Sequence, residues 1–227
     1  KIAERIDANL LDTNIQTLSD PLFSRQKYQN KIDILNQKTQ GKLIIKEYPT
    51  ASANANHFKS LLNELSLKKG FKPHIIFVDY LNIFASSRYK VNIVNSYTYV
   101  KSIAEELRGL AGEFNVPIVS ATQTTRSGYG NSDVELTDTS ESFGLPATAD
   151  IMFALISTEE MENLNQIMVK QLKNRYNDPT MNKRFVLGID RAKMRLYDCD
   201  QAQQNIVDSG QEVVDMPIKK SFAELKV

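Results

Sequence analysis

Apolar runs too short to form helices alternate along this chain with longer stretches of helical periodicity, which restricts it to a layered α/β architecture. Residues 43–45, 74–78, 117–121 and 151–156 read as strands. Between them, Ser24 opens an amphipathic helix over 24–38 that stops before Gly41. A second helix carries Phe58, Leu61, Leu62 and Leu65 on one face and closes at Lys68-Lys69-Gly70, with cations and a glycine suited to a helix C-terminus. Ser96 is the expected N-cap of a long helix running to about Asn115, with Val100, Ile103, Ala104, Leu107, Leu110 and Ala111 on its inner face.

The last third changes character. Residues 166–173 and 183–189 flank Asn177-Asp178-Pro179-Thr180, a turn-forming stretch, and together they predict a hairpin followed by a strand at 194–197. The architecture expected is a parallel sheet covered on both faces and finished by antiparallel strands at one edge. Ile2, Ile6, Leu10 and Leu11 recur at helical spacing from the first residues, with no start methionine or capping residue before them, a pattern expected of a chain that opens in mid-domain. The first 199 residues are expected to form the domain and residues 200–227 a polar, acidic tail.

Charge narrows the function classes. Lysine and arginine total 28 against 27 acids, so no global basic character marks a polyanion binder, and any nucleic-acid contact must be local. Nor are aromatic platforms interleaved with a basic groove, which argues against a bare single-strand-binding protein. One cysteine, Cys199, rules out an intramolecular disulfide and a cysteine-based zinc cluster, and His57 and His74 are too few for a multi-histidine metal site. No apolar run approaches the length that spans a bilayer, and an intracellular, reducing location is expected.

Candidate chemistry collects at strand ends. Asp79 follows the apolar run Ile75-Ile76-Phe77-Val78, at the sheet edge where open α/β folds bind ligands, and a carboxylate there can hold Mg²⁺, directly or through water, beside nucleotide phosphates. The same pattern fits an aspartate that merely ends a strand or caps a turn. Gln123 lies just past the 117–121 strand, where an amide could sense a terminal phosphate or orient water, or simply be polar. In Lys173-Asn174-Arg175, alternate residues of an extended strand put two cations on one face, suited to a triphosphate on a neighbouring subunit or to solvent. The loop 124–136, with two glycines, two acids and Arg126 beside Tyr129, could contact DNA by pairing a cation with a stacking ring, or have no ligand at all.

Taken in order, Ile76-Phe77-Val78-Asp79-Tyr80-Leu81, Ser120-Ala121-Thr122-Gln123, Asp138-Thr139-Ser140-Glu141-Ser142, Ala149-Asp150 and Lys173-Asn174-Arg175 resemble segments of DnaB-family replicative DNA helicases. The likeness is strongest to the branch of T-even-type bacteriophages, extending to Arg5-Ile6-Asp7-Ala8-Asn9, Asn95-Ser96-Tyr97-Thr98 and Gly144-Leu145-Pro146-Ala147-Thr148. The resemblance implies a RecA-like three-layer α/β/α fold with a mostly parallel sheet and C-terminal antiparallel hairpin strands. It also implies a hexameric ring that hydrolyses ATP at subunit interfaces while pulling single-stranded DNA through its centre.

By the same resemblance Asp79 is the Walker B acid organising Mg²⁺. Gln123 reports phosphate state, and Lys173 with Arg175 completes a neighbour's ATP site. Glu141, Ser142, Phe143 and Gly144 belong to a DNA-facing loop that touches the phosphate backbone through main-chain groups. Ser140 and Phe143 depart from the arginine and glycine of many bacterial relatives. Partners implied are single-stranded DNA, further copies of the chain, and a primase or helicase loader, to which Phe222 and Leu225 of the tail could dock. The implied setting is the cytoplasm of a phage-infected bacterium.

One element of such a motor is missing: no G-x-x-x-x-G-K-S/T motif occurs in the 227 residues. In the family that loop lies upstream of the segment resembling 1–11, so the chain is expected to be a motor-domain fragment, inactive as an ATPase alone, to bind no nucleotide by itself, and to self-associate as a dimer where a strand is lacking. The alternative is a non-catalytic helicase-like module that joins or regulates a helicase ring.

Overall fold

A computed structural model describes residues 1–20, 22–124, 135–136, 144–178 and 181–200. The expectations for Arg126, Tyr129, Glu141, Ser142, Phe143, Phe222 and Leu225 fall outside those residues.

The core is organised by one helix. α5 (Ser96–Phe114) buries Val100, Ile103, Ala104, Leu107 and Leu110 along one face, as the periodicity predicted, and Ile103 is fully enclosed. Against that face pack Val78 of β1 (Ile76–Val78), Leu81 and Phe84 around a single 3-10 turn (Leu81–Ile83), and Leu145 of α6 (Gly144–Thr148). Phe84 stacks on Phe58 of α4 (Ala55–Lys69) with ring centroids 4.9 Å apart, closing the core from the other side. Burying side chains of this size contributes about 1.5–3 kcal/mol each.

The helix ends follow local chemistry. α4 starts with a capping box in which Asn54 accepts from the His57 amide and His57 Nδ1 accepts from the Asn54 amide, and it ends at Gly70 with φ 59°. The N-cap of α5 is Asn95, whose Oδ1 accepts from the Thr98 amide at 2.8 Å, and not Ser96 as expected: both residue types can cap, and the asparagine holds the non-helical position. α3 (Arg25–Lys38) forms where the helix was expected, with Ser24 as its N-cap, but buries none of its residues. Polar contacts attach it instead, Tyr28 to Asp7 at 2.9 Å and Lys31 to the Leu11 carbonyl at 3.0 Å.

The described strands form two ladders. β1 pairs in parallel with β2 (Ile118–Ser120), setting Val78 opposite Ser120. The other ladder is antiparallel, in the order β3 (Ile151–Ile156), β4 (Gln166–Asn174), β5 (Arg184–Asp190), β6 (Arg195–Asp198). The predicted hairpin is β4–β5. Parallel pairing is confined to β1–β2 among the described strands, so the antiparallel portion is the larger of the two. Residues 43–45 are no strand: Leu43 and Ile45 are 62% and 48% exposed, and an apolar run becomes a strand only where a neighbour accepts its backbone groups.

α1 (Ile2–Leu10) and α2 (Ile15–Leu18) are tied to the β5–β6 turn. The Ile15 amide donates to Ala192 O at 2.8 Å, Asn9 Nδ2 to Met194 O at 2.8 Å, and Lys193 and Arg195 both reach Asp12. α7 (Glu159–Asn163) buries Met161 and packs on β4. No helix among the described residues is long and apolar enough to cross a membrane.

Candidate functional site

The parallel pair brings Asp79 and Gln123 to one edge. Asp79 is the first residue past β1, exposed, with no side-chain hydrogen bond or ion pair to another described residue. Gln123 stands three residues past β2, and its Nε2 donates to the Tyr80 hydroxyl at 3.3 Å. Backbone and side chains lace this edge together: the Leu81 amide donates to Ala121 O at 3.1 Å, Ser120 Oγ to Val78 O at 2.8 Å, and Thr122 Oγ1 to Asn82 Oδ1 at 2.9 Å. Gln123 is thus bonded to the residue beside Asp79.

No cluster of three or more His, Cys, Asp or Glu able to hold a metal is present among the described residues. A lone, accessible carboxylate at a strand end fits Mg²⁺ only where nucleotide oxygens and water fill the remaining positions, because this ion keeps much of its hydration and takes one or two protein carboxylates. Asp79 can supply that one ligand.

Lys173 and Arg175 lie on the other ladder, at and just beyond the end of β4, and point the same way as predicted. Their target within the chain is the end of α6. Lys173 Nζ donates to Pro146 O at 2.6 Å, Arg175 Nη2 to Ala147 O at 3.2 Å, and Arg175 Nη1 to Asp150 Oδ1 at 2.9 Å. Burial pushes the Lys173 ammonium below its ordinary pKa, and the charge of Arg175 adds to the shift. Burial pushes the Asp150 carboxyl up, but hydrogen bonding from Arg108 and the charges of Arg108 and Arg175 outweigh it and hold the group below the ordinary range. Neither Lys173 nor Arg175 is bonded to Asp79 or Gln123.

Gly144, assigned by resemblance to the DNA loop, is buried at the start of α6, where an added Cβ would meet Tyr97 and Lys101 at 3.0 Å. That close approach accounts for a glycine here without any ligand.

Two residues of this region carried no role in the sequence reading. Arg108 projects from α5 to Thr148 O at 2.7 Å and Asp150 Oδ1 at 2.8 Å, a link across 42 positions that no local pattern announces. Glu106, 7% exposed, accepts from Ser86 Oγ at 2.6 Å, Ser87 N at 2.8 Å and Ser87 Oγ at 2.7 Å, pinning the segment that follows the 3-10 turn. Its only sequence sign was a polar residue beside the apolar stripe of α5.

Residues 1–186 match the model of the DnaB-like helicase C-terminal domain. The chain belongs to that family. It is 46% identical over 200 residues to a DnaB-like replicative helicase of Enterobacteria phage T4, a match covering 88% of this chain and 42% of the relative. To a probable plasmid replicative DNA helicase of Chlamydia psittaci it is 29% identical over 183 residues, covering 78% of this chain and 38% of that one. The DnaB-like domain thus spans less than half the length of these curated relatives. Solved structures agree on a RecA-like helicase ATPase fold. One is an ATPase domain with TM-score 0.70 and 19% identity, covering 86% of this chain and 69% of its own. Another is a DnaB-like replicative helicase described with its interactions with primase, with TM-score 0.68 and 19% identity, covering 87% and 47%.

Proposed function

We propose that this DnaB-like domain serves an ATP-driven replicative helicase that assembles as a ring and translocates on single-stranded DNA. The observation that supports this reading best is the division of the charged groups. Asp79 and Gln123 share the edge of the parallel pair, whereas Lys173 and Arg175 stand on a separate ladder. A site split this way needs two subunits, one supplying the magnesium ligand and sensor, the other the cations that offset charge on the transferring phosphoryl group; an arginine supplied in trans is worth about 10³–10⁵ in rate.

In this reading the bound nucleotide with its Mg²⁺ supplies the reacting phosphoryl group. Asp79 holds the ion, and Gln123, tied to Tyr80, senses whether the terminal phosphate is present. Residues 141–143 and the 124–136 segment with Arg126 and Tyr129 are assigned to DNA contact, reading backbone and base planes rather than sequence. A primase or loader is the further partner.

Sedimentation of the purified chain, with and without single-stranded DNA and a Mg²⁺-bound ATP analogue, together with a phosphate-release assay, tests the reading. It predicts no turnover by the chain alone, since no phosphate-cradling motif occurs in it. Asp79-dependent hydrolysis by the lone chain would overturn the proposed division of labour.

A further inference from the structure

Three cations converge on the last turn of α6, and each takes a different carbonyl: Lys173 that of Pro146, Arg175 that of Ala147 and Arg108 that of Thr148. Carbonyls at a helix C-terminus lack intrahelical donors and carry the negative end of the helix dipole, so cations settle there. Both guanidiniums also donate to one carboxylate oxygen, Asp150 Oδ1, at 2.8 Å from Arg108 and 2.9 Å from Arg175. The Arg175 amide donates to Asp150 O at 3.0 Å, so the strand end and the α6 exit are joined through backbone as well.

We propose that Asp150 is a positioning residue that parks Arg175 on the C-terminal turn of α6, so that a phosphate group engaging Lys173 and Arg175 competes directly with the contacts that fix α6. The proposal rests on the trans role given to these cations above and adds what they hold when no phosphate is present. The exchange is like for like, a phosphate oxygen replacing a carboxylate oxygen against the same guanidinium fork. It costs little, because the Arg175 and Asp150 side chains are 43% and 33% exposed and such pairs are weak.

The geometry also says what would move. The start of α6 packs closely on α5, where a methyl group at Gly144 would press on Lys101 and Tyr97, while Lys173, Arg175 and Arg108 secure its other end through polar contacts. If Arg175 leaves, Arg108 still ties Thr148 and Asp150 to α5, so the turn can shift without coming loose. The same two cations would thereby link a neighbour's phosphate state to the position of the last turn of α6.

The test is a titration of the chain with tripolyphosphate at low ionic strength, following arginine Nε–Hε signals and the backbone amides of α6 and Asp150 by NMR. The expected result is that the Arg175 signal and the amides of Ala147, Thr148, Ala149 and Asp150 shift with one midpoint. Asp150→Asn should tighten binding about three- to tenfold by removing the competing anion. Glu105→Gln makes the same charge change on a residue paired with Arg88, and should leave the midpoint within about twofold. Equal tightening by both variants would reduce the effect to net charge and overturn the proposal. An Arg175 signal that titrates while the α6 amides stay still would remove the coupling and leave the trans role standing. No titration of Lys173 or Arg175 at all would overturn the proposal, while the trans role is decided separately by mixing subunits. Should Asp150→Asn fail to fold, the wild-type titration still decides between these outcomes.

Discussion

Gln123 donates from Nε2 to the hydroxyl of Tyr80 at 3.3 Å, so the proposed phosphate sensor is bonded to the neighbour of the proposed magnesium ligand. If that bond transmits the state of the site, losing it should uncouple hydrolysis from DNA rather than stop it. In a phage T4 relative whose matching segment is exchanged for this chain, Tyr80→Phe is expected to lower DNA-stimulated hydrolysis about three- to tenfold, the worth of one hydrogen bond, with basal turnover unchanged. Steady-state phosphate release with and without single-stranded DNA measures it, and an unaltered stimulation ratio would count against the link.

Glu106 holds the Ser86-Ser87 segment through three short hydrogen bonds, while Tyr99 and Ser102 add one longer bond each to Ser86. Glu106→Gln keeps the size but turns an amide toward donors that need acceptors. A loss of about 1–3 kcal/mol in urea unfolding is expected. A midpoint equal to wild type would show that the segment is held by something else.

Acid should expose the same contact. For Glu106, burial raises the carboxyl but donors from Ser86, Ser87 and Arg88 together outweigh it, and for Asp150 the arginines do so. Both folded-state values lie below the ordinary 4.5 and 3.8. Their stabilisation is therefore complete above those values and fades as pH falls through the lower folded ones. Thermal unfolding followed from pH 7 downward should show the gap between wild type and Glu106→Gln closing below about pH 4.5. A gap that stays constant to the lowest pH would contradict the assignment.

Gly188 faces Tyr197 across β5–β6, and a methyl group there would fall 2.3 Å from the tyrosine ring. The ring occupies the space the glycine leaves open, so Gly188→Ala must displace this half-exposed side chain, losing about 0.2–1 kcal/mol, the worth of a cross-strand pair. In a Tyr197→Ala background the same change should cost much less. Equal costs in both backgrounds would mean the ring is not the obstacle.

How much of this was legible beforehand depended on the range of the interaction. Asp79 and Gln123 could be placed because a strand's end is written in its own residues, and the β4–β5 hairpin because Asn177-Asp178 marks a turn locally. The helix end at Gly70 was legible for the same reason. Residues 43–45 misled because apolar content signals burial but cannot say whether a partner strand accepts the backbone. Asn95 and Ser96 are adjacent capping residues, and only the backbone geometry chooses between them. The clamp on α6 was invisible: Arg108, Asp150 and Arg175 meet across 25 and 42 positions, and each alone reads as a surface charge.

The trans arrangement is tested most directly by mixing. Arg175→Ala and Asp79→Asn versions of the segment-exchanged helicase are each expected to be inactive in phosphate release. Combined, they form some interfaces in which an intact Asp79 faces an intact Arg175 of the adjoining subunit, and hydrolysis should return in part. Mixed rings as inactive as either parent, with assembly confirmed by sedimentation, would contradict the assignment of Arg175 to a neighbour's site.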